Sequence, residues 1–200
     1  GRLPLDGWIN LDLQVLPGVD VVVDVTQGLP FARAEALFAE HFLEHLEVHQ
    51  AIDFLAESHR VLAEDGWLRL STPNLAWVLE THFRPEREDT GTVHLNRAFY
   101  GWEHRFLWDR SFLSRALEAC GFAALRWPAY GESELAYFRD IERHPRSEDA
   151  PDLPHVLLVE ARKSTPRPRQ LAALHAEIRD QFSSHLEEAR LRRARLEVER

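Results

Sequence analysis

The pattern of hydrophobic and polar positions in the first half of the chain alternates between strand-like and helix-like segments. Short apolar runs rich in β-branched and aromatic residues predict strands at residues 8–13, 20–25, 36–42 and 67–71. Between the last two runs, residues 47–63 carry apolar side chains at roughly helical spacing, which predicts a helix that connects two strands. Strands that alternate with helices indicate an α/β protein with crossover connections.

The second half of the chain continues the alternation less regularly. Asp109 is placed to cap a helix that ends near Ala119, and strands follow at residues 122–127 and 155–161. Residues 83–105 show little periodicity but contain many polar and aromatic groups. We therefore expect a long loop or lid at residues 83–105.

The composition changes after Pro166 and Pro168. Residues 169–200 are highly charged, contain no glycine or proline, and predict one long amphipathic helix. Its apolar stripe consists of Leu171, Leu174, Ile178, Phe182, Leu186 and Ala189. Such a helix either docks on the body of its own chain or pairs with a second copy as a homodimer. We divide the chain into a domain of residues 1–163 and a helical extension of residues 164–200.

The overall composition is that of a single globular domain. The chain has 200 residues, of which 44% are hydrophobic and 28% are charged, and this length can bury a sizeable core. A formal net charge of −9 and the lack of a long basic stretch disfavour nucleic-acid binding. No uncharged run reaches the ~18–20 residues that cross a bilayer. The single cysteine, Cys120, excludes an internal disulfide and a cysteine-based metal site, so we expect a reducing, cytoplasmic location.

Five short motifs follow one another along the chain. They are residues 7–12 (GWINLD), residues 21–24 with LPF at 29–31, residues 41–46 (HFLEHL), residues 60–62 (RVL) with Gly66, and residues 71–74 (STPN). In this order they resemble the class I S-adenosylmethionine-dependent methyltransferase family, in particular a small branch with a short glycine loop. The resemblance covers residues 7–75 well and residues 105–162 more loosely. It implies a doubly wound, mostly parallel sheet of the Rossmann-like methyltransferase type.

The chain also departs from the pattern of that family. The glycine-rich turn that cradles the methionine part of the cofactor is not in this sequence, and neither is the strand before it. Because the chain contains no methionine, even at position 1, we expect the natural protein to carry both features ahead of Gly1. Residues 34–36 (AEA) and 63–66 (AEDG) stand where the family usually has Phe-Asp and Pro-Gly-Gly.

The resemblance implies a set of contacts to S-adenosyl-L-methionine at the carboxyl ends of the strands, where doubly wound sheets bind ligands. Asp12 matches the acid that accepts both hydroxyls of the adenosine ribose, and Asp24 matches the acid that reaches the adenine amino group. Leu29 and His41 match further positions of the cofactor pocket. His41 is also the candidate base that takes a proton from the acceptor. The alternatives are that both acids cap strand ends in solvent and that His41 only shapes the pocket.

The acceptor side is expected between the Thr-Pro-Asn turn and the helix capped by Asp109. Asn74 belongs to that turn, and Tyr100 and His104 belong to the aromatic, histidine-bearing segment that follows it. Such a lid suits a small-molecule or carbohydrate-type acceptor. The alternative is that these aromatic side chains pack a long loop onto the core.

Two other functions are compatible with the sequence. His41, Glu44 and His45 satisfy the H-x-x-E-H pattern of inverted zinc peptidases, and on a helix both histidines would share one face with His49. Such a pattern often arises by chance in a chain with 11 histidines, so the leading interpretation includes no metal and gives Glu44 and His45 structural hydrogen bonds. The second alternative is a non-catalytic methyltransferase-like module that binds another protein.

Overall fold

The computed structural model describes residues 4–82, 90–144 and 152–198 of the chain. Its strands are β1 (Leu11–Asp12), β2 (Val21–Val22), β3 (Ala34–Glu40), β4 (Leu62–Pro73), β5 (Phe122–Arg126) and β6 (Val156–Lys163). Its α-helices are α1 (Val48–Val61), α2 (Leu75–His82), α3 (Thr90–Asn96), α4 (Arg110–Ala119), α5 (Pro168–Ile178) and α6 (Ser184–Val198). Shorter helical turns occur at Val25–Gln27, Leu43–His45, Arg97–Gly101, Ala136–Phe138 and Arg179–Ser183.

The described strands form two separate sheets. β1 and β2 form a parallel pair, and the larger sheet has the order β3-β4-β6-β5. β3 and β4 are parallel and are joined by α1, whereas β6 runs antiparallel to both β4 and β5. The α/β class is confirmed, but the expected mostly parallel, doubly wound sheet differs from this mixed one. No α-helix joins β5 to β6 among the described residues, and a connection without a crossover returns the chain antiparallel.

Helices cover one face of the larger sheet. α1, α4 and α5 contact one another and enclose the main apolar cluster together with alternate residues of β4 and β6. Its fully buried members include Ile52, Leu55, Leu68, Leu113, Leu117 and Val159. The opposite face carries a smaller cluster of Trp67, Phe138 and Ile141, on which Trp8 packs. Both faces of β4 are therefore covered, and this strand lies at the centre of the core.

The two N-terminal strands are much shorter than the sequence predicts. Each pairs over two residues only, and Ile9, Leu13 and Val22 are at least half exposed. The prediction that residues 20–25 form a strand covered on both faces is therefore wrong. Among the described residues β1 and β2 pair only with each other, and an isolated two-stranded sheet stabilises few residues.

The segment expected as a loop or lid is partly helical. α3 continues directly into the π-helical turn Arg97–Gly101, while residues 83–89 lie outside the described part of the chain. The loop prediction is therefore wrong for residues 90–101. Val93, Tyr100 and Trp102 are 65–76% exposed, which explains why the sequence shows no clear apolar stripe there.

The C-terminal segment forms the predicted helix, as α5, a π-helical turn and α6. Its first half docks on the body of its own chain, because Leu174 and Ile178 are buried and the ring of Phe182 lies 5.8 Å from that of Phe106. Farther along, Leu191 is 60% exposed. Of the described helices, none has the length and apolar character needed to cross a membrane.

Cys120 directly follows α4, lies inside the core and is 4% exposed. Burial raises the pKa of its thiol to about 12. Because only the thiolate reacts, we expect iodoacetamide at about pH 8 to modify the native chain at least ~100-fold more slowly than the urea-unfolded chain, whose thiol has an ordinary pKa of about 8.5. Mass spectrometry of timed samples measures both rates, and equal rates would contradict the buried position.

Candidate functional site

Two of the predicted acids lie at the ends of neighbouring strands. Asp12 is the last residue of β1, and Asp24 follows β2 by two positions. Because β1 and β2 are parallel, with Asp12 opposite Val22, both acids lie at the same edge of the small sheet. The amide of Gln14 donates to Asp12 Oδ1 at 2.9 Å and holds the pKa of this carboxyl below its ordinary value. Asp12 is therefore ionised at neutral pH and only accepts hydrogen bonds.

Asp24 is exposed and caps the turn that follows it. Its Oδ1 accepts hydrogen bonds from the backbone amide of Thr26 at 3.0 Å and from the Thr26 hydroxyl at 2.7 Å. Asp24 also lines a shallow depression of about 600 Å³ together with Gly28 and Leu29. One oxygen of this carboxylate thus caps the local turn, as expected from the alternative that Asp24 only caps the end of its strand.

Leu29 is buried, and α1 braces its backbone. Its amide donates to Glu57 Oε1 at 2.8 Å, and its carbonyl accepts from the guanidinium of Arg60 at 2.9 Å. Arg60 also donates to Glu57, and this hydrogen bond lowers the pKa of the Glu57 carboxyl. The brace fixes the wall of the depression beside Asp24.

His41 follows β3 directly and has a left-handed backbone conformation, with φ of 45°. Its amide donates to the Ser71 carbonyl on β4 at 3.1 Å, which anchors it to the larger sheet. Its Nδ1 lies 3.0 Å from Glu44 Oε1, and its ring lies 4.1 Å from that of His144. His41 is therefore held from several sides while its ring stays partly exposed.

Glu44 is fully buried and connects His41 to the segment that carries His104. Its Oε2 accepts from the hydroxyl of Thr72 at 3.0 Å. Its backbone carbonyl accepts from the amides of Arg105 and Phe106 at 2.7 and 3.2 Å. These backbone hydrogen bonds bring residue 104 next to residues 44 and 45, which are about sixty positions away in sequence.

His104 is half-buried, and its burial lowers the pKa of its imidazole. Its Nδ1 donates to the Ala98 carbonyl at 2.6 Å, so Nε2 is the nitrogen with the available lone pair in the neutral ring. The ring of His45 lies 5.2 Å away at a steep angle. Ligand atoms of Glu44, His45 and His104 all lie within 4.8 Å of one another.

The other two predicted residues have contrasting surroundings. Asn74 is buried, its Nδ2 donates to the Pro154 carbonyl at 2.8 Å, and its Oδ1 accepts from the Ala76 amide at 3.1 Å. Tyr100 is 76% exposed on the π-helical turn. The structure thus brings His41 and His104 into one cluster, places Asn74 at the end of β4, and leaves Tyr100 at the surface.

The helical geometry expected for the H-x-x-E-H pattern does not form. Residues Leu43–His45 make a single 3-10 turn, His41 precedes it with a positive φ, and α1 begins only at Val48. His41 and His45 therefore do not share one face of an α-helix, and that arrangement of a zinc peptidase is wrong for this chain. The positive φ of His41 is incompatible with a right-handed α-helix, so no α-helix can include both histidines.

Sequence reasoning missed several residues that build this cluster. Glu40 accepts from the amides of Arg143 and His144 at 2.9–3.1 Å and so holds the ring of His144 near His41. Thr72 holds the carboxylate of Glu44. The H-x-x-E-H pattern singled out Glu44 and His45. No local pattern predicts that His144, about a hundred residues farther along the chain, lies beside His41.

Comparison with known proteins gives fold-level likeness only. No protein-family model matches the chain, and no curated protein is similar to it in sequence. A SAM-dependent methyltransferase from Archaeoglobus fulgidus is 15% identical, with a TM-score of 0.44, over 72% of this chain and 66% of that one. A SAM-dependent methyltransferase from Thermotoga maritima, described as a possible histamine N-methyltransferase, is 16% identical, with a TM-score of 0.46, over 74% and 65%.

The chain spans less than two thirds of the length of these structural neighbours. A protein from Bordetella parapertussis described as a possible exported protein is 12% identical, with a TM-score of 0.46, over 72% of this chain and 43% of that one. Identities and TM-scores this low do not indicate the activity of the chain, which depends on its own residues.

Proposed function

We propose that this chain binds S-adenosyl-L-methionine and transfers its methyl group to a small-molecule or carbohydrate-type acceptor. The observation that carries the proposal is the placement of Asp12 and Asp24 at the same edge of two neighbouring parallel strands. Ligands of α/β sheets bind beyond the carboxyl ends of parallel strands. The motifs that resemble the methyltransferase family supply both acids.

The two acids fit the polar groups of the nucleoside. An ionised carboxylate accepts hydrogen bonds from two vicinal hydroxyls, and the lowered pKa of Asp12 keeps it in that form. Asp24 lines the depression beside Leu29 and uses Oδ1 for its own turn, which leaves Oδ2 to accept from an exocyclic amine. Leu29 and the Glu57–Arg60 pair would then hold the wall of the adenosine site.

The bound cofactor would supply a methyl group on a sulfonium, which needs positioning more than acid–base help. His41 would accept the proton of a hydroxyl or amine acceptor at Nε2. Its Nδ1 is hydrogen-bonded to Glu44, and its ring stays partly exposed. Asn74, Tyr100 and His104 would line the acceptor side.

We also propose that a strand and a glycine turn ahead of Gly1 complete the nucleotide site. In the described residues β3 is an edge strand, and β1 and β2 pair only with each other. Ile9, Leu13 and Val22 leave apolar surface exposed beside them. A further strand between the two sheets would form hydrogen bonds with the edge of β3 and with the edge of the β1–β2 pair. Residues 1–163 would then be the catalytic domain, and residues 164–200 would be its helical extension.

Calorimetric titration of S-adenosylhomocysteine tests the proposal. We expect Asp12→Ala to weaken binding roughly 10- to 100-fold, because a hydrogen bond to an ionised group contributes about 1.5–3 kcal/mol. Asp6→Ala removes an exposed acid of the same segment and serves as the matched control with unchanged affinity. Equal affinity in folded wild-type and Asp12→Ala chains would remove Asp12 from the site.

The same titration is run on a version of the chain that is extended at its N-terminus. Binding by the extended form alone would support the proposed strand and glycine turn. If neither form binds while both show native circular dichroism, the methyltransferase proposal is wrong. The chain would then be better described as a non-catalytic protein-binding module.

A homodimer through residues 169–200 stays a prediction. The apolar stripe from Leu171 to Phe182 packs against the chain's own core, so a dimer would have to use α6, where Leu191 is exposed. Sedimentation as a monomer at high concentration would contradict it.

A further inference from the structure

We propose that Glu44, His45 and His104 form a binding site for a divalent transition-metal ion, with Zn²⁺ as the expected occupant. The ligand atoms of these residues lie within 4.8 Å of one another. Two imidazoles and one carboxylate are the protein ligands of one class of tetrahedral zinc site, in which the fourth position is left to water or another ligand. This set differs from the H-x-x-E-H pattern, because Glu44 is a ligand here and His104 takes the place of His41.

Glu44 is the fixed point of the site. Its side chain is fully buried, and buried carboxylates are retained when they are hydrogen-bonded, paired or bound to a metal. Thr72 and His41 each occupy one lone pair, on Oε2 and Oε1, so each oxygen keeps one for an ion. A carboxylate held by two outer hydrogen bonds is already oriented, which is the usual support of metal-binding groups.

His104 is oriented in the same way. Its Nδ1 donates to the Ala98 carbonyl at 2.6 Å, which fixes the ring and leaves Nε2 as the ligand atom. The hydrogen bonds from Arg105 and Phe106 to the Glu44 carbonyl fix the backbone beside it. These contacts hold two of the three ligands in place.

His45 completes the set from the solvent side. It follows Glu44 directly and is exposed, so an ion can reach the site without opening the core. Ligands at ~2.0–2.1 Å from a tetrahedral ion lie roughly 3.3 Å apart, so closure requires a side-chain movement of about an ångström. The exposed ring of His45 can make this movement by rotation about its side-chain bonds.

The ligand chemistry selects the ion. Imidazole nitrogen suits zinc, copper, iron and nickel, whereas calcium and magnesium prefer oxygen ligands only. A formal charge of −1 from one carboxylate with two neutral imidazoles leaves a net positive centre, which attracts an oxygen ligand in the open position. The proposal is independent of the proposed methyl transfer, since it needs neither the cofactor nor an acceptor.

Titration with Co²⁺ alone, followed by its visible absorption, tests the site in the full chain without any cofactor. We expect one Co²⁺ per chain, displaced by Zn²⁺ and not by excess Mg²⁺. His104→Gln and His45→Gln should each weaken binding at least tenfold. His49→Gln, an exposed histidine four residues beyond His45, is the matched control and should leave binding unchanged.

A second variant keeps the test decisive if His104→Gln fails to fold. His104→Cys offers a thiolate in place of the imidazole, and its Co²⁺ complex should show a near-ultraviolet band from sulfur to cobalt that the wild type lacks. No Co²⁺ binding by folded wild-type chain overturns the proposal. Co²⁺ binding by His45→Gln and His104→Gln that is as strong as binding by the wild type also overturns it. So does a His104→Cys complex that lacks the sulfur-to-cobalt band.

Discussion

Arg69→Ala is expected to destabilise the chain by about 3–5 kcal/mol. Arg69 lies in the middle of β4 with no exposed surface. Its Nε donates to Glu142 Oε1 at 2.6 Å, and one terminal nitrogen donates to Glu160 Oε1 at 2.5 Å and to the Glu132 carbonyl at 3.0 Å. Removing the guanidinium leaves two buried carboxylates without their counter-charge. Urea unfolding followed by tryptophan fluorescence measures the loss.

Two comparisons separate this effect from a general loss of an arginine. Arg162→Ala removes a half-exposed arginine of β6 that pairs with Asp65, and it should cost less than about 1 kcal/mol because exposed ion pairs contribute little. A triple variant, Arg69→Met with Glu142→Leu and Glu160→Leu, should recover most of the lost stability, since apolar residues often replace buried ion networks without cost. Equal, small losses for Arg69→Ala and Arg162→Ala would contradict the buried network.

Trp108→Ala is the second substitution with a large expected effect, about 3–5 kcal/mol of lost stability. The Trp108 side chain has no exposed surface, and its ring centroid lies 4.9 Å from that of Phe106 and 5.3 Å from that of Phe112. Its backbone also joins two parts of the fold, because its carbonyl accepts from the Leu75 amide at 2.9 Å. Truncation opens a cavity that the surrounding rings fill only in part.

Trp102→Ala provides the matched control for that substitution. Trp102 lies six residues earlier and is 65% exposed, so its removal should change stability by no more than about 0.5 kcal/mol. Thermal and urea unfolding of both variants give the two free-energy differences. A loss at position 102 as large as that at position 108 would show that the helical segment before α4 packs differently.

The sequence predicted the elements whose apolar positions follow one clear period. The helix expected at residues 47–63 forms as Val48–Val61, and the strand expected at 155–161 forms as Val156–Lys163. Asp109 caps α4 as predicted, with Oδ1 accepting from the Phe112 amide at 2.8 Å. Periodicity and capping are local properties of the chain, so they can be read without the partners of each element.

The sequence could not predict how far strands extend or in which direction they pair. The run of valines at 20–25 predicts a long buried strand, but only Val21–Val22 pair. Strand length depends on the neighbouring strand that supplies hydrogen bonds, and β1 offers two residues only. The direction of β6 likewise follows from the connection after β5, whose described residues form no α-helix, and not from the residues of β6 themselves.

The residues of the candidate sites also include some that the sequence predicted and others that only the tertiary structure brought together. Asp12, Asp24, His41, Glu44 and His45 stand in short motifs, and the sequence by itself singled them out. The tertiary structure decided that His104, and not His41, places a third potential ligand atom within 4.8 Å of those of Glu44 and His45. Hydrogen bonds between the Glu44 carbonyl and the amides of Arg105 and Phe106 bring the two segments together. Contacts across such distances depend on the complete packing of the chain, because no local pattern encodes which backbone groups meet.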